Sequence, residues 1–317
     1  MYSKLRTAAC VVAAGIVGMT AAQDTIPFNF GIAPGLSYRK TDNAVVNFSA
    51  NLIYSRNLSV AGADFAGFVS NVSNLTNGYQ AAGLVSTTQE LNGFQAAGIY
   101  SGVEGNAMGF QAGGLIGRIG GNLRGIQSAG LINYTSGDVF GGQSGVVNVA
   151  QNVTGFQAGF VNISRNLNGV PFGLINITGN GNVSAIAYAT NFSGGNVGAK
   201  FIANNFVTTI TVGGYDYEEQ LDTAVSVATS WGYHIPLEPF YVEVDIANYD
   251  MVQLEDLDVK NPLRRHLTAL RLTAGWDVAD FLGIFAGAGA GYELELEGED
   301  IVADNFKPLY YGGVTLF

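Results

Sequence analysis

The chain has 317 residues, a formal charge of −11 and only 12% charged residues, roughly half the charged fraction of an ordinary soluble domain. Its 44 glycines and low charge argue against a conventional soluble globule and for a membrane barrel or a stacked β-repeat. An acidic chain without a basic patch is a poor nucleic-acid binder.

Residues 1–22 read as an export signal. Lys4 and Arg6 form a positive start, Ala8 to Met19 is a run of small and apolar residues, and a small-residue cleavage site follows at Ala22. The run is too short for a good transmembrane helix. Losing Lys4 and Arg6 with the signal takes the formal charge from −11 to −13. The one cysteine, Cys10, falls inside the signal, so a mature chain has no thiol for a disulfide or a cysteine metal site. No cofactor and no metal ligand set is expected.

Residues 23–59 are expected to supply N-terminal barrel strands. Ile26, Phe28, Phe30, Ile32, Leu36 and Tyr38 alternate with small or polar residues, and Val46, Phe48, Ala50, Leu52 and Tyr54 do the same. A period of two is the strand signature.

Residues 60–205 are a repeat. Phrases such as "GFQAGFVNIS" and "GIQSAGLINY" place Gln80, Gln95, Gln111, Gln127, Gln143 and Gln157 at equivalent positions, with Pro171 next. The steps from Gln80 to Pro171 are 15, 16, 16, 16, 14 and 14 residues. Asp64 stands one step before Gln80, and Val183 and Val197 continue the series as weaker copies. Asn133, Asn148, Asn162 and Asn176 close the better-formed strands.

Two architectures accommodate this step. Each copy could be one tilted membrane strand plus a tight turn. Phe94, Phe110 and Phe156 would then alternate between the two rims as aromatic girdles, and the whole chain would count about 18 strands. Alternatively, each copy is one coil of a parallel β-solenoid inserted into a small barrel of about eight strands, with Gln and Asn forming ladders along the stack. The absence of odd/even alternation between copies favours the second. The unbroken run into alternating strands on either side favours the first, and a single continuous antiparallel barrel is the leading expectation.

Residues 206–317 are expected to be C-terminal barrel strands. Val225, Val227, Trp231 and Tyr233 oppose Ser226, Ala228 and Ser230; Leu270, Leu272 and Trp276 oppose Arg265, Arg271 and Thr273. Tight connections at "IPLE" and "DVAD" alternate with long acidic ones at "YDMVQLEDLDVKN" and "ELEGEDIVADNFK", the outer-membrane arrangement of short turns and long loops. Glu243 and Asp245 share one inward face, Arg265 and Arg271 that of the next strand. They form a candidate lumenal charge network, either a staple for the barrel or a solute-selecting constriction. His234 and His266 lack the motif context of a hydrolase and read as interface or loop residues. Gly287, Gly289 and Gly291 read as lumen-lining residues beside large side chains.

The ending "PLYYGGVTLF" resembles the closing strand of bacterial outer-membrane β-barrel proteins. That resemblance implies recognition of Phe317 by the barrel-assembly machinery. "QSGVVNVA" is locally similar to curlin repeats. "GFQAGFVNIS" and "GVPFGLINIT" look like the Gly-x-Gln-x-Gly-Leu-Ile-Asn units of the surface-repeat proteins of leptospires and other bacteria, over residues about 78–178. This resemblance implies an exported envelope protein and transfers no catalytic residue. The expected function is therefore a non-enzymatic outer-membrane or surface protein with a structural or passive pore-like role, whose partner is membrane lipid. The alternative is an adhesin-like protein that offers the repeat to an unidentified surface ligand.

Overall fold

The computed structural model describes residues 24–216, 223–253, 263–297 and 300–317; the expected signal, with Cys10, lies outside them. The fold is all-β, built from a parallel solenoid-like sheet followed by a closed eight-stranded antiparallel barrel.

The solenoid comprises β1 (Thr25–Gly31), β2 (Val45–Asn51), β3 (Tyr54–Asn57), β4 (Ser59–Ala66), β5 (Val69–Ala82), β6 (Val85–Ala97), β7 (Tyr100–Val103), β8 (Ala107–Gly113), β9 (Ile116–Ile119), β10 (Leu123–Ala129), β11 (Ile132–Thr135), β12 (Val139–Ser144), β13 (Val147–Ala158), β14 (Val161–Phe172) and β15 (Ile175–Thr178). Each repeat is one flattened coil. A longer strand such as β8 turns at Gly114–Leu115 into a short strand such as β9, and a second turn at Gly120–Asn122 starts the next coil. Pairing is parallel and in register, so Gln111 sits beside Gln95 on one side and Gln127 on the other.

The interior is divided. Leu91, Val103, Ile119, Leu123, Val139 and Val153 fill the half near the second turn. Near the first turn, each glutamine amide from Gln95 onward donates to its predecessor, as Gln111 to Gln95 at 3.0 Å and Gln127 to Gln111 at 2.9 Å. Asn133, Asn148, Asn162 and Asn176 form a second ladder at 2.8–2.9 Å. These ladders satisfy buried polar groups without burying charge.

The barrel comprises β16 (Asn182–Thr190), β17 (Gly195–Ala203), β18 (Phe206–Asp216), β19 (Thr223–Leu237), β20 (Phe240–Gln253), β21 (Leu263–Ala279), β22 (Leu282–Glu297) and β23 (Asp300–Leu316). β23 pairs with β16 to close it. Its outer wall exposes Val197, Val212, Val227, Ile246, Leu270 and Leu272, each between 45% and 64% exposed. Exposed aromatics flank that band: Tyr233, Phe240, Trp276 and Phe281 towards one end, Tyr292, Phe306 and Tyr310 towards the other. The chain enters β16 and leaves β23 at the end that carries the tight connections at 204–205, 238–239 and 280–281.

Five expectations are corrected. The single continuous barrel of about 18 strands is replaced by a solenoid and an eight-stranded barrel. Residues 23–59 are not barrel strands: β1 and β2 pair in parallel, Ile26 beside Val46, as the first coils. Strict alternation fails there as well, because Ile26 and Asn29 are both buried while Phe28 and Phe30 are exposed. The repeat ends at Thr178, not at 205, since Val183 and Val197 lie in β16 and β17 with antiparallel partners Phe201 and Ala187. Phe94, Phe110 and Phe156 do not alternate between rims: Phe94 and Phe110 stack in register at 5.3 Å and an interplanar angle of 6°. The segment "ELEGEDIVADNFK" is mostly strand rather than loop, because β22 runs to Glu297 and β23 starts at Asp300.

Candidate functional site

The strand period delivers the charged residues of the barrel to its lumen. β20 turns Glu243 and Asp245 inward, 5% and 3% exposed. Opposite Asp245 on β21 stands Arg271. Their contact is bidentate, Nε to Oδ1 at 2.7 Å and Nη2 to Oδ2 at 2.9 Å, the fork geometry that makes Arg–carboxylate pairs strong. Arg271 Nη1 also donates to the Tyr249 hydroxyl at 2.8 Å, and the guanidinium lies 5.0 Å from the Tyr311 ring centroid.

Glu243 is held differently. Lys200 of β17 reaches its Oε1 at 2.5 Å and His234 Nδ1 lies 2.7 Å from the same oxygen. Arg265 pairs with Glu295 at 3.1 Å rather than with Glu243 or Asp245, because six residues of strand separate it from Arg271. Lys307 and Glu293 form a further pair at 2.5 Å. Among the described lumenal residues, four cations are thus each paired with a carboxylate.

An eight-stranded barrel is just wide enough for its side chains to fill. Here Ile186, Tyr188, Arg271, Thr273, Phe285 and Tyr311 close around a cavity of about 20 Å³, room for about one water. Gly287 lies where the Tyr311 ring needs space, so a Cβ there would collide with it. Both features describe a plugged core.

The structure places Glu243, Asp245 and Arg271 on the inward face of β20 and β21, and the pairing partner of Arg271 is Asp245. Lys200 and His234 were missed. Lys200 alternates with Asn196 and Gly198 on the inward face of β17, a signal masked by assigning that segment to the repeat. His234 is not a loop residue: its side chain is 14% exposed and serves Glu243.

His266 also has partners that lie far away in sequence. Its Nδ1 is 2.7 Å from Asp250 on β20 and its Nε2 is 3.1 Å from Thr268 Oγ1. This hydroxyl–imidazole–carboxylate row has the spacing of a nucleophilic triad. It lies on the outer wall, however, and Thr268 Oγ1 is also 2.8 Å from Asn248 Oδ1. The neighbouring backbone N–H groups belong to the β20–β21 and β21–β22 ladders, and no described cavity borders the row.

In the solenoid, Gln80, Gln95, Gln111, Gln127, Gln143 and Gln157 are at most 1% exposed. Asn133, Asn148, Asn162 and Asn176 are at most 3% exposed. They are structural ladders and present no binding face. Phe317 follows β23, exposed, with its N–H donating to the Phe281 carbonyl at 3.2 Å.

The chain matches no protein-family model, no curated protein and no solved structure.

Proposed function

We propose that this chain is a non-enzymatic outer-membrane protein in which the barrel is a closed anchor and the solenoid is the body it carries. The observation that carries this reading is the contrast between the two faces of the barrel wall. The outside bears an uncharged apolar band between aromatic belts, and the inside is filled by paired charges and tyrosines. Outer-membrane barrels use such a band to meet lipid. Phe317 at the end of the closing strand supports recognition by the barrel-assembly machinery.

The packed lumen favours the structural role over a passive pore. The test is planar-bilayer recording on refolded protein whose folding is established by heat-modifiable gel migration. The expected result is a folded protein without discrete conductance steps. Reproducible steps from the folded species would overturn the closed-anchor reading.

One rim mixes the two-residue gap between β22 and β23 with the longer gaps that follow β18 and β20, while the connections at 204–205, 238–239 and 280–281 share the other rim with both ends of the barrel. In outer-membrane barrels short turns face the periplasm and long loops face outwards. The solenoid enters from that same rim, which supports a periplasmic solenoid over an adhesin displayed outside the cell. Protease shaving of intact cells tests this: the solenoid should survive until the outer membrane is permeabilised.

A further inference from the structure

The solenoid is amphipathic across its width. The first turn of each coil places one large apolar residue at the edge. Leu84, Ile99, Leu115, Leu131, Val146 and Phe160 form this row, each between 38% and 52% exposed. Beside it runs a shallow groove of about 660 Å³ floored by small residues such as Ala112, Ser128 and Ala158. The charges of residues 68–178 are Glu90, Glu104, Arg118, Arg124, Asp138 and Arg165, and all lie at or beside the opposite turn.

The backbone at the apolar edge is self-sufficient. Leu131 N–H donates to the Leu115 carbonyl at 2.9 Å, Val147 N–H to Leu131 at 2.8 Å and Phe160 N–H to Val146 at 2.9 Å. Neighbouring carbonyls are claimed from inside. Asn133 Nδ2 donates to the Ser144 carbonyl at 2.7 Å and Asn148 Nδ2 to the Ala158 carbonyl at 2.9 Å. The charged turn is paired in the same way, as Gly121 N–H to the Gly105 carbonyl at 2.8 Å, so the pairing does not single out the apolar edge, but it leaves that edge compatible with hydrocarbon, where unpaired backbone groups are costly.

The groove beside the row is continuous with the outer wall of the barrel, through Phe172, the register partner of Ala158. Phe172 of the last coil stacks on Trp231 at 5.3 Å, and Trp231 stacks in turn on Phe206 at 5.7 Å. Trp231 is on the outward face of β19, in line with Val227 and Tyr233.

We propose that the apolar edge of the solenoid is a lipid-contacting surface, lying along the leaflet at the short-turn side of the barrel with the charged turns facing water. The inference rests on the membrane reading of the barrel given above. The solenoid then lies flat against the membrane as an amphipathic slab, immersed to the depth of one side chain per coil.

The test uses full-length protein with Cys10→Ser, refolded into phosphatidylethanolamine–phosphatidylglycerol vesicles. Single cysteines replace Leu131 at the apolar edge, Arg165 at the charged turn and Val227 on the barrel wall, each carrying an environment-sensitive fluorophore. Spin-labelled acyl chains should quench the labels at 227 and 131 and spare that at 165, which aqueous iodide should reach. If the label at 227 is quenched while those at 131 and 165 are equally open to iodide, the solenoid stands off the membrane and the proposal is overturned. Protection of 131 from both quenchers that grows with protein concentration would mean that a second copy covers the edge, which also overturns it. If 227 is not quenched, the barrel is not in lipid and both readings fall together.

Discussion

Two buried acids illustrate opposite solutions to one problem. Asp64 occupies the ladder position of Gln80, its register partner on β5, and is fully buried. Ser55 donates to it at 2.6 Å and Ser70 at 2.5 Å. Burial pushes its carboxyl above the usual value of 3.8, and the serine and asparagine hydrogen bonds pull only partly the other way. A raised folded-state pKa means that the contribution to stability is full below the unfolded pKa and is lost as pH rises through the folded one. Asp64→Asn should therefore raise the solenoid's thermal midpoint near about pH 7 and have no stabilising effect near about pH 3. An identical shift at both pH values, followed by circular dichroism, would refute the assignment. Asp245 is buried too, but Arg271 neutralises it in a bidentate pair. Arg271→Ala leaves that carboxylate alone, a loss of about 3–5 kcal/mol for a truly buried pair. Arg39, an exposed residue of the N-terminal loop, is the control. Equal denaturation midpoints for the Arg271→Ala and Arg39→Ala proteins would show that the lumenal pair does not hold the barrel together.

At the scale of the strand, the repeated phrase is explained by its glycine as much as by its glutamine. Gly78, Gly93, Gly109, Gly125, Gly141 and Gly155 all have φ between +123° and +138°, a region that favours glycine. A Cβ on Gly125 would also strike the Gly109 carbonyl of the preceding coil. Gly125→Ala should lower the solenoid's unfolding temperature and leave the heat-modifiable migration of the barrel unchanged; loss of both together would mean that the two units unfold as one. The barrel half was legible because strand parity alone carries Glu243, Asp245, Arg265 and Arg271 to the lumen. The repeat was ambiguous because a step of about 15 residues fits a tilted membrane strand with its turn as well as a two-strand coil. Local alternation looks the same in both. The discriminating sign was the absence of odd/even alternation between copies, which suits identical stacked coils and not a meander of strands that run alternately up and down. Partners such as Lys200 with Glu243, or His266 with Asp250, are set by register across strands and could not be read from spacing.

At the scale of the whole molecule, each end of the parallel stack must be covered, because an open strand edge invites another chain. The first coil is covered by its own loop. Tyr38 N–H donates to the Phe30 carbonyl at 2.8 Å and Arg39 N–H to Asn29 Oδ1 at 3.1 Å. The last coil is covered by the barrel. Pro171 ends the glutamine ladder with no side-chain amide to extend it, and its carbonyl accepts from Trp231 Nε1 at 3.2 Å. Asn204, in the β17–β18 turn, donates to the Gly169 carbonyl at 2.8 Å, and Asn176 closes its ladder on Thr208 at 3.2 Å. Ala203 of β17 joins the apolar core of the solenoid. The barrel is thus the capping repeat of the solenoid as well as its anchor. Replacing Trp231 and Asn204 together by alanine should uncap the last coil without touching the lumen. Limited proteolysis should then cut first within β14 and β15, while β16 to β23 remain a protected, heat-modifiable fragment. An unchanged cleavage order in the double variant would mean that the solenoid holds its last coil without the barrel.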